Sequence, residues 1–205
     1  MRTNIVLILL CATLAAGPIS AAQGDPDWPC IQRKVPELSL GQIWNGPELP
    51  AVAFGWSKDA GVTELVEELA ARRLPLKQAQ QEIVAFAKGL PEGARKERLA
   101  MLVQGLFDHM NRERSDVISG IGRYARGQRD MAAYLRRQAS EVDALRAKPD
   151  ADPNAVQLRN DQLVFQTRVF QERAQSLTYV CEVPTLIEQR LYALAKTITE
   201  ILAAR

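Results

Sequence analysis

Residues 142–158 read Val142-Asp-Ala-Leu-Arg-Ala-Lys-Pro-Asp-Ala-Asp-Pro-Asn-Ala-Val-Gln-Leu158, and the fold turns on this stretch. Lys148 to Pro153 holds two prolines and two aspartates within six residues, a dense cluster of turn chemistry. Upstream, Pro91 and Glu92 suit the first turn of a helix, and no further proline appears before Pro149. Val103, Leu106, Met110, Val117, Ile121, Tyr124, Met131, Leu135, Val142 and Leu145 recur at threes and fours along one seam. Polar Glu113, Gln128 and Gln138 interrupt it. Such a seam predicts a long helix packed along its length against another. Downstream, residues 154–182 read as the second helix, giving an antiparallel helical hairpin over 92–182 with its turn at 148–153. A turn centred near 150–151 sets Met131 against Phe170, Leu135 against Phe165, Val142 against Leu158, and Leu145 against Ala155 or Val156. Apolar residues meet at every level.

The second helix carries more apolar surface than one partner can cover. One stripe holds Leu158, Phe165, Val169 and Val180; another holds Val156, Leu163, Phe170 and Leu177 at seven-residue spacing. The stripes are more than about 100° apart on the helical wheel, so the helix expects two neighbours. Pro184 is read as a break, followed by a last helix from Thr185 to Ala204 with Leu186, Leu191, Leu194, Ile198, Ile201 and Leu202. Before the hairpin, Asp59 can cap a helix over 62–73 and Pro75 precedes another over 76–90. The fold class is all-α: a four- to five-helix bundle with a long antiparallel hairpin and an irregular Trp/Pro-rich N-terminal arm.

The chain begins as an export signal begins. Arg2 precedes an apolar run from Ile5 to Ala16, and Ser20-Ala21-Ala22 places small residues before a cut at Gln23. The run is about a dozen residues, too short to span a bilayer as a helix. The division expected is a leader at 1–22, an arm at 23–59 and a helical domain at 60–205, in a periplasmic or secreted protein. Cys11 falls within the leader, which leaves Cys30 and Cys181. In an oxidising compartment these are expected to pair as a structural disulfide, with an intermolecular bridge or free thiols as the alternatives.

The arm carries Pro26, Pro29, Pro36, Pro47 and Pro50, yet all three tryptophans, Trp28, Trp44 and Trp56, also lie in it. A disordered tail would be poor in aromatics, so the arm is expected to pack on something. Either the rings dock on the protein's own helices, or they line a groove for a ligand or partner. The hairpin register sets Cys181 level with Gly120 and a turn from Gly122. The junction of arm, Gly120, Gly122, Arg123 and Arg126 is therefore the first place to look for a binding surface.

Composition narrows the function by exclusion. The full chain has 26 basic and 24 acidic residues; Arg2 is the only charge in 1–22, so 25 face 24 once that segment is removed. Near-neutrality argues against nucleic acid as a partner, and no later segment is apolar for long enough to be an integral membrane span. His109 is the only histidine, beside Asp108 and four residues before Glu113, so no Glu-x-x-His pair recurs for a di-metal bundle site. Neither Ser115, Ser119 nor Ser140 lies in a nucleophile elbow, and Gly120-Ile121-Gly122 follows no strand. Arg112, Arg114, Arg123, Arg126, Arg129, Arg136 and Arg137 read as a solvated helix face, with an acidic partner on 123–137 as the alternative. No catalytic residue, metal ligand or cofactor is assigned. The function expected is an envelope binding or scaffolding protein that engages a protein partner, or itself as a homo-oligomer. The alternative is a small-molecule- or metal-responsive accessory protein with a pocket between the aromatic arm and the bundle.

Overall fold

The computed structural model describes Asp25 and residues 27–204, so the leader read at 1–22 lies outside the described residues. The protein is all-α, and no strand occurs among the described residues. In chain order come α1 (Leu40–Ile43), a 3-10 helix (Ala51–Lys58), α2 (Ala60–Ala70), α3 (Leu76–Gly89), α4 (Glu92–Arg146) and α5 (Pro153–Ala203). No helix among the described residues is long and apolar enough to cross a membrane.

Local chemistry sets most of the boundaries. The Asp59 carboxylate accepts from the Val62 N–H at 3.1 Å and caps α2. Asp152 accepts from Asn154 N at 2.9 Å and Pro153 occupies the first turn, so α5 starts where the turn chemistry ends. Two boundaries depart from the sequence reading. The arm is less irregular than its prolines imply: the Ser39 N–H donates to Gln42 Oε1 at 2.7 Å to close α1, and Pro50 opens a 3-10 helix. Helix α5 also runs unbroken through Pro184, where a break was expected. A mid-helix proline costs roughly 3 kcal/mol or more. Packing on both sides offsets that cost, because Cys181, Pro184, Ile187 and Leu191 are all buried.

The core lies at one end. Its large fully buried members include Leu69, Ile83, Leu99, Leu102, Leu106, Met110, Ile187, Leu191, Leu194 and Ile198. Helices α2 and α3, the C-terminal half of α5, the N-terminal half of α4 and the arm surround them. Arginines from the long helices close the short ones at this end. Arg190 Nε donates to Leu69 O at 2.9 Å in the last turn of α2, and Arg95 Nε donates to Ala87 O at 3.1 Å near the end of α3. Each supplies a cation and a donor where helix carbonyls lack partners.

Away from this head, α4 and α5 continue with each other as their main support, as a stalk about 33 Å long. Arg114 meets Glu188, Tyr124 meets the Arg173 carbonyl, and Arg146 meets Asn160, so numbering rises on one helix as it falls on the other. The facing residues differ from the expected ones. Leu135 and Val142 are buried, yet Phe165 and Leu158 are 67% and 61% exposed. The half-buried stripe is Val156, Leu163, Phe170 and Leu177, because strict seven-residue spacing stays on one neighbour along a supercoil.

Candidate functional site

The arm is laid along α4 and held by its side chains. Asn111 uses both halves of its amide on Leu38: Oδ1 accepts from the Leu38 N–H at 3.0 Å, and Nδ2 donates to the Leu38 carbonyl at 3.3 Å. Ser115 Oγ donates to Pro36 O at 2.8 Å. Arg114, 5% exposed, donates from Nη1 to Val35 O at 2.6 Å and reaches Glu188 at 3.4 Å. Burial holds the Arg114 guanidinium below its ordinary pKa, partly offset by Glu188. These residues, spaced i, i+3, i+4, occupy one helix face and satisfy an extended backbone that has no strand beside it.

Farther along, Asp27 takes Arg126 at 2.7 Å and also binds Arg129. The hydrogen bond from Arg129 is the main cause holding its carboxyl below the usual carboxylate range; Arg126 adds to it. Lys34 lowers Asp25 in the same way across 2.6 Å. The Cys30–Cys181 disulfide, with Cα atoms 5.6 Å apart, ties this part of the arm to α5.

Each of the three tryptophans finds a hydrogen-bond partner within the protein. Trp44 is buried in the core and donates to Pro47 O at 2.7 Å. Trp56 donates to Asp108 Oδ2 at 2.9 Å and packs on Gly105. Trp28 is half-buried, bonds Gln32 O at 2.5 Å, and has the Lys34 ammonium 6.0 Å from its ring. The glycines divide. Gly122 is buried, and a methyl there would lie 3.7 Å from Asp27 O, so it does face the arm. Gly120 has only Arg123 near it, at 3.8 Å.

Arm and α4 enclose a shallow cleft of ≈ 490 Å³ floored by Ile118 and Gly122 and rimmed by Lys34, Glu37, Arg123 and Arg126. It gathers three of the four expected junction residues, but Arg126 is engaged with Asp27 and charges of both signs line the rim. A second cleft, ≈ 320 Å³, lies where Trp44, Pro47, Leu49 and Pro50 of the arm face Ala100 and Leu202, with Lys96 and two glutamates at its edge. His109 lines an open hollow near Glu113, whose carboxylate is 3.6 Å from Arg72. Among the described residues no group of three or more histidines, cysteines or acids is placed to hold a metal ion.

Helix α5 carries several exposed large apolar side chains. Leu158, Val164 and Phe165 are all more than 60% exposed, and Tyr179, Val180 and Leu186 continue the exposed set toward the head. Of these, the sequence reading grouped Leu158, Phe165 and Val180 in one stripe and set Leu158 and Phe165 in the hairpin interior. It missed the clamp at Asn111, Arg114 and Ser115: Arg114, read with the solvated arginines, is buried because it turns to the arm backbone and Glu188. No protein-family model matches the chain, and neither a curated protein nor a solved structure matches it.

Proposed function

We propose that this chain is an exported docking or scaffolding protein of the cell envelope, without catalytic activity, that engages a protein partner through its antiparallel α4–α5 hairpin. In this reading residues 1–22 are a cleaved leader, 23–59 a structural arm and 60–205 the helical domain. The observation that carries it is the exposed apolar stripe around Leu158 and Phe165, on a stalk that contributes little to the core of the head. A row of large apolar side chains facing water is costly unless something covers it. The disulfide and the lack of a membrane-spanning helix among the described residues are compatible with export.

Two measurements test this. Mass spectrometry of the mature chain should give Gln23 as the first residue. Crosslinking in intact cells should give adducts on the stalk that Phe165→Asp abolishes; adducts unchanged by that substitution count against the hairpin as the docking element.

A second reading has its own observation, the Trp44 cleft between arm and bundle. Its volume is at the lower end for a small-molecule site. Because Trp44 forms one wall, a bound aromatic or short aliphatic compound would change tryptophan emission, and Ala100→Trp would block the cleft and remove that response.

A further inference from the structure

The stripe on α5 is self-complementary when read in reverse. Leu158, Phe165, Val169 and Val180 fall within a sector of about 60° on the helical wheel, and the same sector continues as Ile187, Leu194 and Ile198. In the head that sector is sealed: Ile187, Leu194 and Ile198 are 1% exposed or less. On the stalk it is open at Leu158, 61% exposed, and Phe165, 67% exposed, and partly open at Val180, while Val169 is half-buried. One helix face therefore needs cover along its whole length and receives it over half.

Charge beside the stripe selects the cover. Gln157, Asp161, Val164, Arg168 and Glu172 form one flanking ridge, with Gln157 donating to Asp161 at 2.8 Å and Arg168 to Glu172 at 3.0 Å. Both members of the Arg168–Glu172 pair are more than 60% exposed. Set a second copy antiparallel, with a two-fold axis between Val164 and Phe165. Asp161 of each copy then comes level with Arg168 of the other, Leu158 approaches Val169, and the Val164–Phe165 pairs meet at the axis. Opposite charges line up twice because the contact is isologous.

The lengths also fit. From the axis, α5 of one copy ends at Pro153, about 17 Å away, whereas Cys181, where α5 of the other copy is bonded to the arm, is about 25 Å away. The turn of each hairpin thus stops short of its neighbour's disulfide. We infer that the α5 stripe docks a second copy of this chain, forming an antiparallel two-fold dimer centred between Val164 and Phe165. This deepens the docking reading above by naming the partner, and it rests on that reading.

Sedimentation velocity on the mature, oxidised chain over a concentration series tests it. A monomer–dimer equilibrium is expected, and Phe165→Asp should weaken it by at least about tenfold, since it sets two carboxylates into an apolar contact. Asp161→Arg and Arg168→Asp should each weaken dimerisation by about fivefold in low salt, because each turns two attractions into two repulsions. The double reversal should restore it to within about twofold of the parent. Circular dichroism checks that helicity is unchanged in each variant. Three results overturn the inference: a monomer at every concentration, a dimer indifferent to Phe165→Asp, or a double reversal no better than the single ones. If the chain is monomeric but Phe165→Asp still removes stalk crosslinks in cells, self-pairing fails and the docking reading stands. If the crosslinks are also unaffected, both fail.

Discussion

Gly105, like Gly46 against the Trp44 ring, has no room for a side chain. A methyl on it would lie 2.7 Å from Val66 Cγ2 and 3.0 Å from the Trp56 indole, inside contact distance of two anchored side chains. Gly105→Ala should therefore destabilise the protein by about 1–3 kcal/mol in chemical denaturation, through overpacking. Gly120→Ala, with only a flexible arginine end near it, should be neutral or stabilising by up to about 1 kcal/mol, because alanine favours a helix over glycine. Arg190→Ala removes the donor to Leu69 O and should cost about 1–3 kcal/mol, the usual penalty for an orphaned buried carbonyl. At Asp27 the prediction concerns pH. Its folded pKa is depressed, so its contribution is present above the ordinary carboxylate pKa and is lost as pH falls through the lowered value. Acidification below about pH 4 should loosen the arm around Trp28, read as a shift in tryptophan emission, while Asp27→Asn shows the change already at neutral pH. Residue types made a disulfide between the two cysteines legible, but left the tryptophans between docking on the helices and lining a groove. The arm clamp at Asn111, Arg114 and Ser115 was not legible, because a polar residue on a helix face looks the same whether it faces water or a bare backbone.

Helix α5 shows the limit of local rules at the next scale. Pro184 was reason enough to end a helix, since it has no N–H and crowds the carbonyl four residues back. On either side of it the helix is held by contacts remote in sequence, Cys181 by its bond to Cys30 and Arg190 by its hydrogen bond to Leu69 O. The stripes were misassigned for a related reason. Periodicity reports that a helix has two apolar faces, but not which face its neighbour covers. At this scale the disulfide is a tether between elements, closing a separation of 151 residues. On the chain-entropy account its loss costs up to about 5 kcal/mol, a figure real disulfides often miss. Replacing both Cys30 and Cys181 by Ser should lower the melting temperature and expose residues 27–38 to protease, while far-UV circular dichroism keeps most of its helical signal. Complete loss of that signal would mean the arm is needed for the helices to fold.

The whole molecule divides by how its apolar surface is covered. The head buries a continuous cluster drawn from the arm and from α2 to α5; the stalk has two helices and a half-open face. Hydrogen exchange should follow that division, with amides of 99–110 and 187–198 protected near the global limit and those of 130–165 exchanging well before them. Uniform protection in dilute monomer would show that the stalk is as cooperative as the head. The helical class and the place of the turn follow from residue chemistry and short-range period, which each segment carries locally, whereas the partner of Cys30 and the seat of the tryptophans stayed open between two readings. The passage of α5 through Pro184, the arm's seat on Asn111, Arg114 and Ser115, and the choice of stripe that faces water belong to the folded molecule. Those outcomes depend on contacts between segments far apart in the chain, where the burial of one surface is settled by whatever else arrives to cover it.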